Sequence, residues 1–146
     1  MFKIKDLIKE AKKKQKIIVF PEVSFSDRTL KAVKILQKKG ICKVLLVGDA
    51  SALILRDKDM EKFEIVNPVT FPERNKLVKT LYEKRKDKGM TMEQADEIEK
   101  DPYYFATLLV ECGYADGMVA GAEASTATTV KPALQIIKGK NKKPVS

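Results

Sequence analysis

Two short runs, IIVF at residues 17–20 and KVLLV at 43–47, are apolar at almost every position, and a single amphipathic stretch separates them. A strand with one wet face alternates apolar and polar residues, so an uninterrupted apolar run belongs to a strand covered on both faces. Between the two runs, Leu30, Val33 and Leu36, with Ala32 and Ile35, recur at helical spacing. Ser24 to Asp27 supply capping side chains in front of this stretch and Gly40 stops it. Strand, helix and strand at this separation connect by a right-handed crossover, which makes the strands parallel. The chain is therefore expected to be α/β, a parallel sheet with helices on both faces.

The remaining pattern extends that unit. Ile4, Leu7, Ile8 and Ala11 give an amphipathic helix over residues 3–14. A short helix follows over Asp49 to Leu55, and FEIVN at 63–67 is a third strand. Leu77, Val78, Leu81 and Tyr82 form one face of a helix that runs from Pro72 to Gly89. Helices are expected over 91–99, capped by Thr91, and over 102–112, with Pro102 in the first turn. DGMVAG at 116–121 reads as a fourth strand, and Pro132 to Lys138 as a last helix. The closing KKPVS has the pattern of a further strand opening, so residues 1–146 are expected to be the front portion of a longer protein.

Composition removes several kinds of chemistry. The chain has no histidine, which excludes Ser-His-Asp and Cys-His catalysis and His-ligated zinc. Cys42 and Cys112 lie in apolar segments without a partner at metal spacing, so both are expected to be reduced core residues and no metal site is expected. The formal charge of +9 is concentrated at the ends: residues 1–16 carry seven Lys against two acids, and residues 138–143 carry four Lys and no acid. A chain basic only at its ends offers no groove-filling face, so no nucleic-acid partner is expected. No apolar stretch reaches the ~18 residues of a membrane span, and the lysine-rich start lacks a signal-peptide core; the expected location is cytoplasmic, with no membrane partner.

Ligands of open parallel sheets bind beyond the carboxyl ends of strands, where loops enter helix N-termini. Two segments have that form. In IIVFPEVSFSDRTLKA, Arg28 falls in the first turn of a helix, where a cation opposes the dipole and needs a partner, either Asp27 or Glu22 or an anionic ligand. In DGMVAGAEASTATTVKPALQ, Gly117 and Gly121 allow close backbone approach, and Ser125, Thr126, Thr128 and Thr129 offer hydroxyl donors without bulk. Lys131 adds a cation there, and Pro132 disfavours helical geometry at Lys131, so the loop-to-helix junction should fall near it or the helix should kink. A third cation, Arg85, is turned toward the apolar face of its helix by its spacing from Leu81 and Tyr82. If buried, it needs an anion.

The blocks IIVFPE…DRTLKA, LYEKRKDKGMT and DGMVAGAEASTATTVKPALQIIK, in that order along the whole chain, resemble the phosphate acetyltransferase family. The resemblance implies reversible acetyl transfer between coenzyme A and inorganic phosphate, with acetyl phosphate as the other partner and no resident cofactor. It implies a two-domain, isocitrate/isopropylmalate dehydrogenase-like α/β enzyme, usually a homodimer, with its active site between the domains. By position, Arg28 resembles the arginine near the CoA phosphates, Arg85 a cleft arginine needed for activity, and Lys131 an arginine that precedes PALQ. Together with Ser125, Thr126 and Thr129 these are the expected substrate-binding residues. The family's acyl-transfer residues, a serine, an arginine and an aspartate, belong to its second half, so no catalytic residue is expected here and residues 1–146 are expected not to turn over alone. The sequence departs from the family pattern at Val23 (commonly Gly), Thr128 (commonly Asp) and Lys131 (commonly Arg); a lysine keeps the charge but loses the two-pronged geometry.

Direct attack of the CoA thiolate on acetyl phosphate would need a carboxylate base and cations facing the carbonyl oxygen and the leaving phosphate. Arg85 and Lys131 would supply part of that field, with the hydroxyls of 125–129 orienting phosphate. Three other readings remain at this stage. One is a phosphate butyryltransferase; another is a silent domain that senses CoA or acyl phosphate. The third is a nucleic-acid binder, whose mark would be steep salt dependence.

Overall fold

The computed structural model describes residues 3–137. The expected strand opening at KKPVS and the end of the last helix at Lys138 lie outside the described residues. Four strands, β1 (Ile17–Phe20), β2 (Lys43–Val47), β3 (Glu64–Val66) and β4 (Gly117–Met118), form one sheet in the order β3-β2-β1-β4, with every neighbouring pair parallel. The chain moves outward from β1 to β3 and then returns to the opposite side of β1. That reversal puts a crevice between the carboxyl ends of β1 and β4.

Each face of the sheet has its own core. On one face, Val19, Leu45 and Val47 pack with α4 (Arg74–Arg85), α5 (Met92–Glu99), α6 (Pro102–Glu111) and α7 (Thr126–Ile136), around Leu77, Leu81, Phe105 and Leu109. On the other, Phe20, Val44 and Leu46 pack with Val33 of α2 (Asp27–Lys39), Leu53 of α3 (Ala50–Arg56) and Met60. Alternation along β1 and β2 sends successive side chains to opposite faces, which explains why both strands are apolar throughout. α1 (Ile4–Lys14) has no buried residue; Leu7 and Ala11 line a shallow apolar groove above Ile18 and Phe20. Cys42 and Cys112 are half-buried thiols without a disulfide. Among the described residues no helix is long and apolar enough to cross a membrane.

Two elements differ from the sequence expectation. The fourth strand is Gly117–Met118 rather than 116–121: after Val119 N–H donates to the Val19 carbonyl at 3.1 Å, the next amides leave the ladder and turn to a side chain, Glu22. The last helix starts at Thr126, six residues before Pro132. Ser125 caps it, its hydroxyl accepting from Thr128 N–H at 3.2 Å, and Pro132 is accommodated inside the helix as a buried residue. The local cap outweighs the proline's aversion to a preceding helical residue.

Candidate functional site

The crevice is built on FPEV, residues 20–23, all buried at the end of β1. Glu22 reaches across to the loop after β4. Its Oε1 accepts from Gly121 N–H at 2.7 Å and Ala122 N–H at 3.0 Å; its Oε2 accepts from Glu123 N–H at 3.0 Å and the Tyr103 hydroxyl at 2.8 Å. Gly121, at φ 110°, makes the turn that aims three successive amides at one point. The glycine-and-alanine loop is therefore an anion cradle, and the anion in it is the protein's own carboxylate. Burial would push the Glu22 carboxyl up, but the bonds from Ala122, Glu123, Tyr103 and Gly121 together outweigh it and hold the carboxyl below the usual value. The sequence offers Glu22 only as a partner for Arg28; an acid between Pro21 and Val23, directly after an apolar strand, is the signal that points to this clamp.

Arg28 stands in the first turn of α2, whose Ser26 cap accepts from Thr29 N–H at 3.2 Å. Neither Asp27 nor Glu22 is its partner. The guanidinium donates to the Ala122 carbonyl and lies 3.5 Å from Glu123 Oε1, while Asp27 pairs with Arg56. Ser26 also donates to Glu123 Oε1, at 3.0 Å. With its side chain 73% exposed, Arg28 forms the rim of a cleft of about 240 Å³ lined by Phe20, Glu22, Thr29, Ala32 and Val119. The cation is thus held against the loop and remains open to a ligand.

The hydroxyl-rich segment is a helix start. Ser125 is the cap, and the Thr129 hydroxyl donates to the Ser125 carbonyl at 3.1 Å, so both are engaged locally. Thr126, Thr128 and Lys131 line an open depression along α7 with Gln135, and Lys131 has no ion pair among the described residues. Arg85, half-buried at the end of α4, also lacks an ion-pair or hydrogen-bond partner among them. Its charge acts on Tyr104, whose hydroxyl donates to Gln135 Oε1 at 2.9 Å. Burial and the Asp101 carboxylate push the Tyr104 phenol up, and the Arg85 charge opposes them.

The three cations therefore do not line one pocket. Arg28 meets the loop before α7, Lys131 rises from the middle of that helix, and Arg85 ends α4, its charge acting on the tyrosine that grips Gln135. Two cations without ion-pair partners among the described residues, Arg85 and Lys131, are free to meet an anion.

Comparison with known proteins gives this surface a family. The model of the phosphate acetyl/butaryl transferase family matches residues 2–146. The chain is 44% identical over 137 residues to a phosphate acetyltransferase of Acetivibrio thermocellus, covering 92% of this chain and 41% of that protein. It is 44% identical over 140 residues to one of Helicobacter pylori, covering 93% of this chain and 27% of that protein. A crystal structure of a phosphotransacetylase from Streptococcus pyogenes superposes with a TM-score of 0.81 at 36% identity, covering 94% of this chain and 44% of that one. The chain thus spans under half the length of these relatives. A family model matched over nearly every residue, together with the same arrangement of strands and helices in a solved relative, establishes that this chain belongs to the phosphate acetyl/butaryl transferase family.

Proposed function

We propose that this chain is the N-terminal α/β domain of a phosphate acetyltransferase, which interconverts acetyl-CoA and phosphate with acetyl phosphate and CoA. The complete enzyme is a two-domain, isocitrate/isopropylmalate dehydrogenase-like protein, cytoplasmic and homodimeric, with CoA as a substrate and no resident cofactor. In the direction of acetyl-CoA synthesis, the CoA thiol gives its proton to a carboxylate supplied by the second domain. The thiolate sulfur forms a bond to the acetyl carbon, and the bond from that carbon to the phosphate oxygen breaks. Phosphate leaves with the bonding pair.

The residues of this chain bind and orient. Arg28 meets the CoA phosphates at the crevice between β1 and β4. Arg85 and Lys131 face the acetyl phosphate, where they offset charge on the carbonyl oxygen and the departing phosphate. Thr126 offers an exposed hydroxyl; Ser125 and Thr129 act chiefly by holding the helix start, because their hydroxyls already serve its backbone. The observation that carries the proposal is the pair of cations without ion-pair partners among the described residues, Arg85 at the end of α4 and Lys131 on α7, in a chain of this family.

The test is to follow CoA-dependent acetyl phosphate formation with two proteins: the 146-residue polypeptide, and the same polypeptide extended by its gene to the length of its relatives. Activity in the extended protein alone, reduced at least about a hundredfold by R85A, is the expected result. An extended protein that uses butyryl-CoA in preference to acetyl-CoA would move the assignment to the other acyl group, and one that transfers neither would end it.

A further inference from the structure

We propose that Glu22 is a positioning residue for CoA binding, acting through Arg28; this rests on the reading of Arg28 as the CoA-phosphate contact. Glu22 does not touch ligand itself. All four of its hydrogen bonds are spent on the protein, three on consecutive amides of the loop after β4 and one on Tyr103. A carboxylate so saturated cannot serve as a base, and its side chain is 1% exposed. What it does is fix residues 121–123.

That loop is also what holds Arg28. The Ala122 carbonyl and the Glu123 carboxylate, both set in place by the clamp, receive the guanidinium, and Glu123 is anchored from the other side by Ser26. Glu22 therefore determines where Arg28 points, with the loop backbone as the intermediary. The clamp has a second consequence. The amides of 121–123 would otherwise form an anion trap of their own in the crevice and compete with Arg28 for a phosphate. With Glu22 in the trap, an incoming polyanion meets the exposed guanidinium instead.

Glutamine matches the shape of Glu22 but carries a single acceptor oxygen, and its amide nitrogen would face donors on the other side. In the extended protein, E22Q should raise KM for CoA about fivefold to tenfold while kcat and KM for acetyl phosphate stay within about twofold. R28A should do the same, and E22Q/R28A should be no worse than R28A alone, because a clamp has nothing to position once the arginine is gone. Y103F removes one donor and leaves the carboxylate; it should shift KM for CoA in the same direction by about twofold, and lose that effect in the R28A background. This second variant serves if E22Q does not fold.

A merely structural Glu22 would lower the melting temperature and leave KM for CoA unchanged, or would multiply with R28A; either result overturns the proposal. The wild type and the same five variants titrated with CoA by calorimetry separate the two readings. A wild type that binds CoA without turnover removes the proposed activity but leaves the Glu22–Arg28 coupling to be read from the binding constants. A wild type that binds no CoA overturns both.

Discussion

Two buried glutamates in this chain have opposite electrostatic fates, and each sets a pH dependence. Glu99, at 0% exposure, ends α5 beside Arg74, whose Nε lies 2.9 Å from Oε2 without the angle of a hydrogen bond. The rest of that guanidinium is committed to Asp96, through its side chain at 2.7 Å and its carbonyl at 2.8 Å. Burial outweighs the Arg74 charge and pushes the Glu99 carboxyl up from 4.5 to about 7. The folded state then binds a proton that the unfolded state has lost, so stability falls as pH rises from about 4.5 to about 7. E99Q removes that dependence: between pH 5 and pH 8 its stability relative to wild type should improve by about 1–3 kcal/mol, read from urea midpoints. Glu22 runs the other way. Its lowered carboxyl stabilises the fold above the unfolded value of 4.5 and loses that contribution as pH falls through the folded value. The destabilisation caused by E22Q should therefore be largest near neutral pH and shrink below about pH 4.5, checked by the same midpoints. Neither environment was legible in the sequence, because each depends on groups brought from another element: Arg74 in the first case, residues 121–123 in the second.

At the scale of elements, local chemistry was legible and long-range chemistry was not. Thr91 and Gln94 form a reciprocal capping box, and the helix they start lies where the spacing puts it. Gly40 closes α2 at φ 63°, as a stop signal should. The fourth strand is shorter than its pattern suggests: residues 116–121 suit a strand, but the distant Glu22 draws the amides of Gly121, Ala122 and Glu123 to itself. α7 is longer than the sequence pattern suggests because the Ser125 cap prevails over Pro132. The cap accounts for the true start, and its contribution can be measured. S125A should lower the stability of the chain by about 1 kcal/mol, whereas S125D, which retains an acceptor for the Thr128 amide and adds a charge favourable to the helix dipole, should stay within about 0.5 kcal/mol of wild type. Thermal unfolding of the two variants distinguishes capping from a need for the hydroxyl alone.

For the whole molecule, the doubly covered strands announced an α/β sheet, but nothing in their pattern said that β4 would return to the free side of β1. That return creates the crevice and decides how the cations are shared out. Arg28 belongs to the cleft at the strand ends, and Lys131 to the depression along α7. They share no partner among the described residues. On the proposed function, CoA and acetyl phosphate each draw on a different hollow. The two cations should therefore contribute to separate substrates. In the extended protein, R28A should raise KM for CoA about tenfold and leave KM for acetyl phosphate nearly unchanged, while K131A should do the converse and also lower kcat. The double variant should show the product of the two losses in kcat/KM, because sites without shared partners act independently. A double variant markedly better than that product would mean that one polyanion bridges both cations, and the division of the surface between two substrates would have to be abandoned.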